Sequence, residues 1–282
     1  MATLKVNTLS GIGTEGPVFD GGLKFRSQNY MTLPKGDTAQ RGRGRALIMG
    51  GIYPESTRME TYSLISSSNG VEFGTLSAGN NAAWGGALAS SIRALIGGGN
   101  SQINNISYVE IPTLGDSIDF GNLSTGRRHA TGVSNNIRGM WGGGETAGAS
   151  SQTNLIDFVT IASTGDAQDF GDLNRAGSTF GGGSGSTVRG IFAGGYTTDI
   201  EYVTYTTTGN AVDFGNMTDD RGDIASNSDN IRSVFTGGLN PSRVNTIDYI
   251  SISTEGNAID FGDLNGLMST GMGQVSSGHG GL

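Results

Sequence analysis

The stretch Arg189-Gly-Ile-Phe-Ala-Gly-Gly195, followed by Ile200-Glu-Tyr-Val-Thr-Tyr205 and Asp213-Phe-Gly-Asn-Met217, decides the fold. Its first part has the pattern of a strand ending in a double glycine, its second that of an alternating strand, its third that of a strand ending at Phe-Gly. The chain repeats the set five times. The Arg-to-Gly-Gly element occurs at Arg45–Gly51, Arg93–Gly99, Arg138–Gly144, Arg189–Gly195 and Arg232–Gly238, with arginine steps of 48, 45, 51 and 43 residues. Phe-Gly follows at Phe73, Phe120, Phe170, Phe214 and Phe261, with steps of 47, 50, 44 and 47. An aromatic-centred strand lies between them each time, around Tyr62, Tyr108, Phe158, Tyr202 and Tyr249. Two markers drifting in step over five copies imply a repeat architecture of the propeller or solenoid kind.

Each copy divides into four short strands. In the second these are Ala82–Ala87, Ile92–Gly97, Ile106–Ile111 and Ser117–Phe120. The third and fourth alternate apolar and polar residues as half-buried antiparallel strands do, across hairpins bearing Gly70, Gly115, Gly165, Gly209 and Gly256. No segment carries a helical apolar period, which excludes a helical solenoid. The expectation is an all-β, five-bladed β-propeller with four antiparallel strands per blade. The strand order, with its double glycine and third-strand aromatic, resembles kelch repeats, although Phe stands in the fourth strand where kelch has Trp. The blades should span about 45–81, 82–126, 127–176, 177–220 and 221–266 of a 45–282 domain. The first copy lacks a clear first strand, whereas Met268–Val275 matches one. Residues 267–276 are therefore expected to close the ring as blade one's innermost strand. First strands are rich in small residues, as crowding near a five-blade axis requires.

Fifty glycines in 282 residues would signal low complexity if they were scattered; here they sit at fixed repeat positions. With no cysteine there is neither a disulfide framework nor a thiolate metal site. No apolar run reaches membrane-spanning length, and Met1–Val6 has no signal-peptide core. The net charge is −8, yet all three lysines, Lys5, Lys24 and Lys35, lie in the first 35 residues. An acidic, lysine-free body argues against nucleic acid or an anionic membrane as partner.

Residues 1–44 have no copy later in the chain and too few apolar side chains to build a core, so they are expected to be an extended anchor arm, ordered by docking on something else. Val6-Asn-Thr-Leu-Ser-Gly-Ile-Gly-Thr-Glu-Gly-Pro-Val-Phe19 and Tyr30-Met-Thr-Leu-Pro-Lys-Gly-Asp-Thr-Ala-Gln-Arg41 resemble the opening of virion structural proteins of tailed phages of marine bacteria, cyanophages especially. In that group such openings precede diverse distal domains. The resemblance implies a multi-copy component of a virion, assembled in the host cytoplasm. Val6, Leu9, Ile12, Val18, Phe19, Phe25, Tyr30 and Leu33 would then dock on other virion proteins.

Catalytic signatures dissolve on inspection. Asp-Phe-Gly, a kinase magnesium motif when single, occurs four times at strand ends with no catalytic-loop partner. A structural role is expected, the acid pairing with the second-strand arginine, for instance Asp213 with Arg189. The glycine clusters precede no helix, as a phosphate loop would. Asp219–Asp223 is the one dense acid cluster and has the character of a solvated loop, without the further carboxylates a propeller glycosidase needs. Two histidines, His129 and His279, are too few for a His-based metal site or triad. No enzyme, cofactor or metal is expected. What varies between copies is the loop after each double glycine, where binding would sit. Trp84, Trp141, Tyr53 and Tyr196 are candidates on such a rim for stacking on a host-surface glycan or contacting a receptor, with a buried strand position the competing and favoured reading for Trp84 and Trp141. The alternative to a virion component is a free carbohydrate-binding lectin, of which five-bladed propellers of the tachylectin type are examples.

Overall fold

In a computed structural model the described residues are 45–52, 55–63, 69–77, 84–148, 152–176 and 181–268. They form a five-bladed β-propeller of small antiparallel sheets. Blade 1 comprises Arg45–Ile52, Glu55–Ser63 and Val71–Thr75. Blade 2 comprises Gly86–Ala89, Arg93–Gly97, Asn105–Glu110 and Ile118–Asn122. Blade 3 comprises Thr131–Ser134, Arg138–Gly142, Leu155–Thr160 and Gln168–Asp172. Blade 4 comprises Gly181–Gly185, Arg189–Gly194, Thr197–Thr204 and Val212–Arg221. Blade 5 comprises Ala225–Ser228, Arg232–Thr236, Val244–Ser251 and Ile259–Met268. Strands pair in chain order within each blade. Blade 1 has three strands among the described residues, and residues 269–276, expected to supply its fourth, lie outside them. Leu267 and Met268 still belong to blade 5, where Met268 pairs with Val244, so the expected start of the closing strand at 267 moves past them.

The innermost strand of blade 2 starts later than its small-residue run suggests. Blade 2 begins at Gly86 rather than Ala82, because Trp84 with φ 64 turns the chain first. The runs are small because neighbouring strands nearly touch: a Cβ on Gly132 would lie 2.4 Å from the Ala87 carbonyl, and one on Gly183 the same distance from that of Gly132.

The Phe-Gly marker is a seam between blades. At four seams the hairpin of the next blade donates a backbone bond to the phenylalanine carbonyl: Gly115 to Phe73, Gly165 to Phe120, Gly209 to Phe170 and Gly256 to Phe214, at 2.7–2.8 Å. The glycine after each phenylalanine leaves room for that hairpin. A Cβ on Gly121, Gly171 or Gly215 would stand 2.3–2.5 Å from the incoming glycine's carbonyl group. The residue after the hairpin glycine adds a second latch, Asp116 accepting from Thr75, Asp166 from Asn122, Asn210 from Asp172 and Asn257 from Asn216. Phe261 and Gly262 differ from the rest: Phe261 is 55% exposed where its counterparts are 2–3%, and among the described residues nothing stands within 4 Å of a Cβ on Gly262.

The repeated arginine is the other seam element. Arg93, Arg138, Arg189 and Arg232 lie 4.2–4.9 Å over the rings of Tyr108, Phe158, Tyr202 and Tyr249. Those rings meet Phe120, Phe170, Phe214 and Phe261 edge-on. From that stack the guanidinium reaches the next blade, Arg93 donating to the Ile161 carbonyl, Arg138 to Tyr205 and Arg189 to Ile252; Arg45 makes the same kind of bond to Ile111. The expected Arg189–Asp213 pair does not form. Tyr202 is opposite Val212, so Asp213, one residue on, faces the other side of the sheet from the ring that Arg189 covers. Arg189 pairs instead with Glu255 of blade 5 at 3.3 Å, and Asp213 accepts from the Gly215 amide, as Asp169 and Asp260 do from Gly171 and Gly262.

Pairing also corrects the first copy's aromatic. Thr61 opposes Val71 as Tyr108 opposes Ile118, so Thr61, not Tyr62, is the counterpart of Tyr108. Thr61 is buried and donates to the Ala46 carbonyl. Arg45 therefore has no ring to lie on at that position.

Candidate functional site

Antiparallel blades put the second-to-third loops and the fourth-to-first connections at one end. Two residues before the innermost strands of blades 2, 3 and 5 stand Trp84, His129 and Asp223, with φ of 64, 58 and 52. Non-glycine residues rarely adopt this left-handed conformation, and three at equivalent positions mark how tightly the chain turns into the axis.

Between blades 2 and 3 these turns assemble a cluster. Trp84 and His129 are tilted ring on ring, centroids 4.9 Å apart, while the Arg128 guanidinium lies 5.1 Å over Trp84. Glu145, in the loop after blade 3's double glycine, accepts from Arg128 Nε at 2.9 Å and stands 3.6 Å from His129 Nδ1. Two short strands, Arg127–Arg128 and Glu145–Thr146, pair to hold that contact in register. Burial pushes the His129 imidazole down to about 4; Glu145 opposes that shift and Arg128 adds to it. The histidine is therefore neutral at physiological pH.

Around blade 5, Tyr196 (φ 65, 46% exposed) leans on Gly222, where a Cβ would lie 2.6 Å from its ring. Burial raises both the Tyr196 hydroxyl and the Asp223 carboxyl, and the Asp223 charge raises Tyr196 further. The end thus offers two aromatic side chains flanked by hydrogen-bonding groups, the composition of a surface that stacks on a flat or ring-shaped ligand.

Trp141 takes the buried strand position, not the rim. It is fully buried in blade 3's second strand, donates from Nε1 to the Gly86 carbonyl at 2.7 Å, and fills the space over Gly86 and Gly97. Trp84 and Tyr196 hold rim positions; Tyr53, with the arm residues Val6, Leu9, Ile12, Val18, Phe19, Phe25, Tyr30 and Leu33, lies outside the described residues.

Two buried ion pairs went unread in the sequence. Arg127 pairs with Asp157 at 3.0 Å and Arg221 with Asp248 at 2.7 Å, with every partner at most 1% exposed. Both acids also accept from the preceding blade, from Ser124 just after blade 2's fourth strand and from Thr218 within blade 4's fourth strand. The acid cluster Asp219–Asp223 is accordingly not a free loop. The fourth strand runs through Arg221, which turns inward, while Asp219 and Asp220 stay exposed. Blade 4 has Glu201 at the corresponding place, buried beside Arg175 and Asp199, its carboxyl raised by burial. Among the described residues no three His, Cys, Asp or Glu side chains converge to hold a metal ion, and no helix is long and apolar enough to cross a membrane.

No family model matches the chain, and no curated protein is similar to it. Among solved structures it is similar to the one described as "Structure of YjhT", with a TM-score of 0.65 and 10% identity over 80% of this chain and 83% of that one. At that identity the likeness shows a shared fold.

Proposed function

We propose that the chain is a non-enzymatic structural component of a phage virion. Residues 1–44 dock on other virion proteins, and the propeller is displayed as a decoration or host-attachment module. The observation that carries this reading is how the chain divides its chemistry. Arginines, aromatics and glycines that recur are committed to seams and stacks between blades. What does not recur is the arm, with its phage-like opening, and the loops at one end. Particles assembled with a chain lacking residues 1–44 test it. Such particles should lack the propeller on immunolabelling, while the full-length chain decorates them; a truncated chain retained at full occupancy rejects the anchor.

A second reading, a glycan-binding lectin, is favoured by the Trp84, Arg128 and Glu145 cluster, where an indole face adjoins a charged pair. Glycan-array binding by the full chain, reduced at least tenfold by Trp84→Ala, supports it. A blank array removes it.

A further inference from the structure

The two ends of the propeller differ in polarity. Of thirteen exposed large hydrophobic side chains among the described residues, nine lie at the end opposite the rim cluster, where the first-to-second and third-to-fourth hairpins emerge. Ile92, Ile137, Val188 and Ile231 recur at the inner hairpins, each directly before its blade's arginine and 52–65% exposed. Val71, Ile118, Val212 and Ile259 recur at the first residue of the fourth strand, 49–58% exposed, and Leu114 stands in a hairpin between the two sets. Scattered exposed aliphatics need no explanation, but a repeated set gathered at one end does.

We propose that this end is the interface of a dimer between two copies of the chain, docked end to end. Area supports it. Burying an aliphatic side chain hides roughly 60–120 Å² of apolar surface, so nine half-exposed ones offer about 450 Å² per copy. Two copies then bury about 900 Å² of apolar area. With polar area in the usual proportion this makes an interface of about 1,500 Å², the size of a stable specific contact. Charge permits it as well. Both signs are interspersed at this end, where Arg93 pairs with Glu110 at 2.7 Å and Arg189 with Glu255. Arg138 and Arg232 share it with the hairpin carboxylates Asp116, Asp166 and Asp229, so two such surfaces meet without opposing fields of one sign. Repetition favours an identical partner: four of the five blades present an aliphatic side chain at each of the two positions, blade 3 having Gln168 in the second set, whereas loops at the other end differ from blade to blade. A contact of a surface with itself closes at two copies and does not propagate.

The inference rests on the exposed residues and not on the virion reading. Analytical ultracentrifugation of the full chain between about 1 and 100 μM tests it, expecting twice the 29.0 kDa of one chain. Ile137→Lys and Ile231→Lys should each weaken the dimer at least tenfold, while Leu267→Lys, at the other end, leaves it intact. All three positions are exposed, and a cooperative melt near wild type qualifies each variant. As a second measurement, Ile231→Cys in this cysteine-free chain should form a dimer on treatment with a short bis-maleimide. A monomer at 100 μM overturns the proposal, whether the arm or another protein covers the surface, as does a dimer that survives both lysine substitutions.

Discussion

At the scale of single residues, His129 shows what the tight turns cost. Its φ of 58 and its enclosure against Trp84 hold a neutral imidazole whose protonation is suppressed to about 4. In the unfolded chain the same group titrates near its ordinary value of 6.5. Between those values the unfolded chain binds more protons, so folding stability is fully present above about 6.5 and falls as pH drops toward 4. Allowing for partial solvent screening, the loss should be of order 1–2 kcal/mol. Urea denaturation at pH 7.5 and 4.5 measures it, and His129→Gln should flatten that part of the profile. An unchanged slope in the variant would assign the pH dependence to other groups. Trp84 and Trp141 carry the complementary lesson. Each is followed by two glycines, so local sequence makes them equivalent. One sits in a turn before a strand and the other inside one, and only cross-strand pairing, Trp141 opposite Gly132 and Asp157, separates rim from core.

Among elements, the buried pairs are the informative case. Arg127 joins the turn before blade 3's first strand to that blade's third strand, and its terminal amines reach Asp157 and the Trp141 carbonyl. Removing one partner leaves a buried charge uncompensated, so Arg127→Met should cost about 3–5 kcal/mol. Replacing both, Arg127→Met with Asp157→Leu, should restore most of that loss, because a well-packed apolar pair avoids desolvation altogether. Chemical denaturation of both variants gives the values; a double variant as unstable as the single would mean that the pair's hydrogen bonds to Ser124 and the backbone dominate. These pairs were illegible beforehand for a physical reason. They link residues 30 and 27 positions apart and occur in blades 3 and 5 but not in blade 4, where Glu201 has no such arginine. A signal seen in only some copies does not stand out as a period. The Arg and Phe-Gly markers were legible because each serves a contact repeated at successive seams. Their partners were not: residue counting paired Asp213 with Arg189, while strand alternation sends them to opposite faces. Counting also chose Tyr62 over Thr61, since it looked for an aromatic where the first copy has none.

For the whole molecule, closure is the open element. Gly262 retains the residue that a seam requires, although nothing adjoins it among the described residues, and Phe261 lacks the cover its counterparts have. We expect residues 269–276 to complete blade 1 and bring its hairpin onto Phe261. Ending the chain at Met268 should then lower the melting temperature by 10 °C or more and broaden the transition in calorimetry. An unaltered, equally sharp melt would refute closure by this segment. The architecture was readable because five copies average out local ambiguity. The candidate site was not, since it is assembled from turns that differ between blades and has no period to betray it.

The seams have one more implication. Their first bonds run from a glycine amide to a phenylalanine carbonyl, main chain to main chain, and glycine is needed there chiefly to stay out of the way. At four seams each blade therefore meets its neighbour through the same main-chain fitting, whatever its loops contain. At these main-chain joints the loops can be diversified at one end without a compensating change next door, whereas side-chain fits such as Trp141 over Gly86 and Gly97 would have to travel with their blades. Such a scaffold can change what it displays quickly while its joints stay the same.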